Sequence, residues 1–250
     1  MAVKKSARAS VRASAKPKRK VSGKAKSKPK AKAGPRSKAR HPRAQRKLAR
    51  PQKPVKPKTR AKKKPAAKVS PLAPQSFPEL PAVGGVTLGV AAAGIKYKGR
   101  TDLLVARMIE GTQAVGIFTT SKTASAPVDW CRANLADGGE GRMLIVNSGN
   151  SNAFTGKAGI ATVKATASAA AAAGNCRQRD VFIASTGVIG QPMDPAPLVA
   201  GIATALAGAA PDRWDEAAWA IMTTDTYPKL ATRRVRIGGA EVTINGIAKG

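Results

Sequence analysis

A mixed domain of the α/β or α+β class, preceded by a long basic segment, is what this sequence predicts, and three observations carry that expectation. From Pro71 onward, short apolar runs closed by Gly or Asn alternate with Ala-rich stretches of helical spacing, the pattern of strands interleaved with helices. Charge is segregated: residues 1–70 hold 28 Lys and Arg and no acid, whereas 71–250 hold 17 basic and 13 acidic residues, so the formal +32 of the whole chain shrinks to +4 in the second part. No apolar run approaches the roughly 18 residues that span a bilayer. Lys4, Lys5, Arg8 and Arg12 break up the amino terminus where a secretory signal needs an apolar core. A cytoplasmic protein is therefore expected. Two cysteines, Cys131 and Cys176, suit a reducing compartment and offer neither a disulfide framework nor a CxxC metal pattern.

The segment 1–70 is low-complexity Lys/Ala/Pro/Ser, with prolines at 17, 29, 35, 42, 51, 54, 57 and 65. Those prolines deny a long helix, and like-charge repulsion with few large apolar residues denies a core, so a disordered tail is predicted. Such a polycation binds DNA, RNA or another polyanion by releasing counterions, without sequence preference; it is equally readable as a solvated extension, with Met1 upstream of the true start. Residues 71–82 read as a linker and 83–250 as the domain. Within it, 101–110 and 112–120 read as consecutive strands, and "RMLIVNSGN" (142–150) as a buried strand stopped by a Gly/Asn turn. The alanines of 157–174 predict a helix ending on Gly174 as its C′ residue. "DVFIASTG" (180–187) is another buried strand. Leu198, Ile202 and Leu206 share a helical face over 195–209; Pro211 starts a helix over 211–225 with Trp214, Ala218 and Ile221 as its stripe. "RRVRIGGAEVTING" is a hairpin around Gly238-Gly239.

Histidine is the missing chemical letter. The one His of the chain, His41, lies in the basic segment, so the domain can build no Ser-His-Asp triad and no His-ligated metal site. A nucleophile serving this domain needs another base, such as a free amino-terminal amine. Three corners are candidates for a site. "VNSGNSNAFTG" (146–156) crowds Asn, Ser and Thr at the end of an apolar strand, although Asn also serves left-handed turn positions. "ASTGVIG" (184–190) places Thr186 and Gly187 where a hydroxyl and a backbone N–H converge on a developing oxyanion. "MTTDTYPK" (222–229) offers hydroxyls to a polar ligand, and Lys249 offers a cation to a carboxylate.

"GIKYKGRTDLLVA", "GIFTTSKTASAPV", "MLIVNSGNSNAFTG", "VFIASTGVIG", "IMTTDTYPK" and "INGIAKG", in that order, resemble the amino-terminal part of the arginine-biosynthesis ornithine acetyltransferases, the bifunctional glutamate N-acetyltransferases, from about Gly84 to Gly250. The resemblance implies a four-layer α/β/β/α fold. It implies a precursor that cuts itself before a threonine into α and β chains, held as an α2β2 heterotetramer. The new threonine then takes acetyl from N-acetylornithine and passes it to glutamate in a ping-pong sequence, bifunctional members also taking acetyl-CoA as donor; no other cofactor and no metal is implied. On matched positions, Thr186 and Gly187 correspond to the oxyanion pair, and Thr223 and Lys249 to substrate-binding positions. The nucleophile falls past the AKG block, so the chain is expected to be an α-chain part that stops before the cleavage site and is inactive alone. A self-processing aminopeptidase or amidohydrolase with water as acceptor, and a nucleic-acid-binding protein acting through its tail, are the alternatives.

Overall fold

Two adjacent strands that bury residues on both faces organise the domain, whose computed structural model describes residues 69–249. The tail predicted to be disordered thus lies, up to residue 68, outside the described residues, as does Gly250. Strands β1 (Val86–Ala91), β2 (Leu103–Met108), β3 (Met143–Asn150) and β4 (Val181–Val188) form one sheet in that order. The β1–β2 and β2–β3 pairs are antiparallel and β3–β4 is parallel. Leu103 and Val105 of β2 join Met143, Ile145, Val181 and Ile183 on one face, while Leu104 and Ala106 join Leu144 and Val146 on the other, as the period of two requires. With both faces covered, these strands read as continuous apolar runs.

A parallel pair needs a crossover, and helix α2 (Gly156–Gly174) supplies it between β3 and β4. Its face of Val163, Ala167, Ala170 and Ala171 packs on the first side of the sheet beside Leu198, Ile202 and Ala205 of α3 (Pro195–Ala207). Helix α1 (Ala126–Ala136) lies along β4, where the Trp130 indole N–H donates to the Val181 carbonyl at 2.9 Å. On the opposite side sit α4 (Trp214–Ala220), through Ala217 and Ala220, and Ile247 from the hairpin β5 (Lys229–Ile237) and β6 (Ala240–Ala248). The mixed α/β class is as expected: a helical layer, a central sheet, and a hairpin with one helix against the sheet's other face. Residues 71–82 contain no helix or strand, though Leu80 is buried and the Pro81 carbonyl accepts from Asn245 at 2.7 Å.

Several local expectations need correction. Residues 112–120 form no strand beyond an isolated bridge from Gln113 to Glu140, because both edges of β2 are already occupied by β1 and β3. Val115 and Ile117 are left fully exposed. Gly174 is not the left-handed cap: Asn175 takes that conformation, at φ 50°, and Gly174 is the last helical residue, where a Cβ would come within 2.8 Å of the Met143 sulfur. The helix predicted over 211–225 shortens to Trp214–Ala220, since the Asp225 carboxylate captures the Thr223 N–H at 3.0 Å and offers that backbone an alternative to helix. Helix α1 went unread because its composition, "APVDWCRANLA", carries little periodic contrast. The hairpin turn is as expected, with positive φ at both Gly238 and Gly239.

Candidate active site

Strands β3 and β4 end together, and the ends are distorted into a corner. Ser148 pairs with Thr186 and Gly149 with Gly187, after which Asn150 faces both Thr186 and Val188 in a bulge. Bulges of this kind re-aim side chains at sites. The polar crowd after β3 turns out to serve the corner itself. The Asn147 amide donates to the Asn150 carbonyl (2.9 Å) and its carbonyl accepts from the Ser185 hydroxyl (2.6 Å). The Asn150 amide reaches the Gln191 carbonyl (2.9 Å), and Asn152, at φ 49°, donates to the Gly159 carbonyl (3.0 Å) and accepts from Thr155 (2.8 Å). These asparagines hold backbone and are not aimed at a ligand.

A second loop is fixed against this corner by one carboxylate. Asp102, 3 % exposed, accepts from the N–H groups of Ala93 (2.7 Å), Gly94 (3.3 Å) and Ile95 (2.7 Å), clamping the turn that leads into "KYKGR". That clamp places Tyr97 and Arg100. The Arg100 guanidinium donates to the carbonyls of Met222 and Thr223, tying the "MTTD" loop to the first loop. Lys229 in turn pairs with the buried carboxylate of Asp225.

Between these pieces opens a cleft of about 360 Å3, floored by Gly149, Thr186 and Gly187 and walled by Tyr97, Arg100, Val188, Thr223, Thr224 and Lys249. All four residues singled out in the sequence, Thr186, Gly187, Thr223 and Lys249, meet there, although Thr186 belongs to the four-stranded sheet and Lys249 directly follows the hairpin strand β6. Sequence reasoning assigned no role to Tyr97 and Arg100, although both lie in the block "GIKYKGRTDLLVA" that carries part of the resemblance. The lining presents the cations of Arg100 and Lys249 with no carboxylate among it, so an anionic group is the favoured occupant. Among the described residues no group of three or more His, Cys, Asp and Glu is placed to hold a metal ion.

Groups with displaced titration lie away from the cleft. Burial pushes the Cys131 thiol up, against a weaker opposing effect of its hydrogen bond to Ile183, so it is a structural thiol. Burial, reinforced by Asp180, also raises Cys176. Burial raises the Asp180 carboxyl as well, but the hydrogen bonds and charge of Arg177 outweigh it and hold Asp180 below the usual carboxylate range.

Comparison with known proteins places this architecture. Residues 87–250 match the model of the ArgJ family. The chain belongs to the ArgJ family. The arginine biosynthesis bifunctional protein ArgJ of Nitrobacter winogradskyi is 57% identical over 182 residues, 72% of this chain and 44% of that protein. Its counterpart in Mesorhizobium japonicum is 54% identical over 179 residues, 72% and 43% of the two chains. The chain thus spans less than half the length of these curated ArgJ relatives. Among solved structures, an ornithine acetyltransferase from Mycobacterium tuberculosis complexed with ornithine superposes with a TM-score of 0.60 at 36% identity, over 67% of this chain and 89% of the matched chain. An ArgJ protein from Bacillus halodurans gives a TM-score of 0.61 at 28% identity, over 67% and 87%. No helix among the described residues is long and apolar enough to cross a membrane.

Proposed function

We propose that this ArgJ-family chain supplies the oxyanion corner and part of the substrate pocket of a glutamate N-acetyltransferase, which moves acetyl from N2-acetyl-L-ornithine to L-glutamate in arginine biosynthesis. The observation that carries the reading is the cleft that gathers Thr186, Gly187, Thr223 and Lys249. In this reaction a threonine freed at its amino group by self-cleavage, lying past residue 250, attacks the acetyl carbonyl, with its own amine as base. Negative charge develops on the carbonyl oxygen, where the Thr186 hydroxyl and the Gly187 N–H donate to it. Ornithine leaves with a proton, and the glutamate amine then attacks the acetyl-threonine through a second oxyanion at the same donors. Lys249 and the hydroxyl of Thr223 hold the amino-acid end of each substrate, the ammonium pairing with its carboxylate. Acetyl-CoA is the proposed second donor to the same threonine.

The sizes of the relatives support the self-cleavage part of the proposal. This chain covers nearly nine-tenths of the matched chain in each solved structure but under half of the full-length curated relatives. Solved chains about half as long as the curated relatives fit a precursor cut in two, and an α2β2 assembly of the two parts belongs to the same proposal. The test is the complete gene product incubated with N-acetylornithine and isotope-labelled glutamate. Labelled N-acetylglutamate with release of ornithine is expected; acetate release that ignores glutamate would instead make it the water-using amidohydrolase.

The charge of residues 1–70 favours a second, compatible activity, binding of nucleic acid without sequence preference. DNA affinity is expected to fall steeply with salt and to vanish when 1–70 is deleted, with acetyl transfer unchanged. Retention of DNA binding by the deleted protein would remove that role from the tail.

A further inference from the structure

Ser148 is 1 % exposed, and its hydroxyl has no hydrogen-bond partner. Among the described residues only the Trp214 indole N–H shares that condition. A buried hydroxyl without a partner keeps its desolvation penalty, and in native structures such a group calls for a reason. The surroundings of Ser148 make the omission specific. Its neighbours Asn147, Asn150 and Asn152 are all hydrogen-bonded, and its own backbone N–H donates to the Asp102 carbonyl at 2.8 Å.

The register shows where the hydroxyl lies. Asn147 contacts Met193 and Ser185, members of the helix-covered side, so Ser148 projects to the opposite face with Leu144 and Val146. The same alternation puts Ser185 on the helix side and Thr186 on the face shared with Ser148. Ser148 and Thr186 are direct register partners. Adjacent strands lie about 4.8 Å apart, a spacing across which two hydroxyls on the same face of a register pair can reach a hydrogen bond. Thr186 lines the cleft, and Ser148, buried on the neighbouring strand, is not part of that lining.

We propose that Ser148 is a positioning residue that orients the Thr186 hydroxyl toward the oxyanion; this rests on the acetyl-transfer reading above. A threonine hydroxyl has one proton and rotates freely. If that proton is to point at the oxyanion, the oxygen is best held from behind by a donor. Ser148, the register partner with a proton to spare, donates to the Thr186 oxygen as Thr186 donates to the substrate oxygen. The two bonds polarise each other and no proton changes hands. Burial keeps water from competing for the Ser148 proton.

The experiment is a double-mutant cycle in the complete gene product, with Ser148→Ala, Thr186→Val and the pair, reading kcat, KM and thermal midpoint. Wild-type protein without acetyl transfer would defeat the acetyl-transfer reading itself, before any variant is compared. With active wild type, Ser148→Ala is expected to lower kcat about tenfold while KM stays within about twofold and the midpoint holds or rises, because an unpartnered buried hydroxyl has been removed. In the Thr186→Val background Ser148→Ala should cost nothing further. An unchanged kcat, an equal loss in the Thr186→Val background, or a midpoint lowered by several degrees would each overturn the positioning role.

Discussion

A Cβ built on Gly187 would lie 2.3 Å from the carbonyl carbon of Gly149 and 2.5 Å from the nitrogen of Asn150. The two strand ends that make the corner touch backbone to backbone, and Gly187 holds φ +133°, which side-chain-bearing residues rarely adopt. Gly187→Ala therefore has no relaxed alternative. It is expected to cost at least about 3 kcal/mol in stability and to reduce acetyl transfer by two orders of magnitude or more, read by thermal unfolding and by steady-state kinetics. An alanine variant with wild-type kcat would show that the N–H of residue 187 does not meet the oxyanion.

Asp102 makes a prediction about how the loops are held. Its two carboxylate oxygens take three backbone N–H groups in the turn before Tyr97. Asp102→Ala leaves those donors without acceptors, so a loss of about 3 kcal/mol is expected, a midpoint drop on the order of 10 °C. Denaturant titration checks it, and a loss below about 0.5 kcal/mol would mean that water replaces the carboxylate.

Arg100 reaches two successive carbonyls, those of Met222 and Thr223, and lines the same cleft as Thr223. A lysine keeps the charge but is a point donor and cannot span both. Arg100→Lys is expected to raise KM for N-acetylornithine about tenfold with a smaller change in kcat, because the displaced group is the loop bearing Thr223. A change confined to kcat would place Arg100 in the chemical step instead.

The Asp180 carboxyl, held low chiefly by Arg177 against the opposing effect of burial, sets a pH dependence away from the site. Because its folded-state pKa is depressed, the stability it contributes is fully present above the unfolded value of about 3.9 and disappears as pH falls through the folded value. The gap in thermal midpoint between wild type and Asp180→Asn should accordingly be constant near neutrality and close below about pH 4. A gap that persists in acid would assign the effect to packing and not to charge.

Much of the fold was legible because its strands are buried on both faces. "LLVA" (103–106) and "MLIV" (143–146) are unbroken apolar runs, and the alanines of 157–174 could belong to no strand. What failed were elements decided by competition. Residues 112–120 have strand composition but no free edge to pair with, and the foot of α4 yields to a side chain, Asp225, that a propensity argument does not weigh. At the site, Thr186, Gly187, Thr223 and Lys249 were legible as motifs in order along the chain. Tyr97 and Arg100 stood in the block "GIKYKGRTDLLVA" without a role, since their loop becomes part of the cleft only through the Asp102 clamp.

The sequence by itself determined the alternation of strands and helices, the segregation of the basic tail, and the absence of histidine from the domain, because composition and periodicity are local properties. Only the tertiary structure decided that Thr186 and Lys249, 63 residues apart, face one cleft, that the asparagines of "VNSGNSNAFTG" serve the backbone, and that Ser148 is buried without a partner at the register position beside Thr186. Those are consequences of strand register and of which hydrogen bonds are already taken. Both are settled by packing across the whole domain, where a one-residue slip would turn Ser148 and Thr186 to the opposite face.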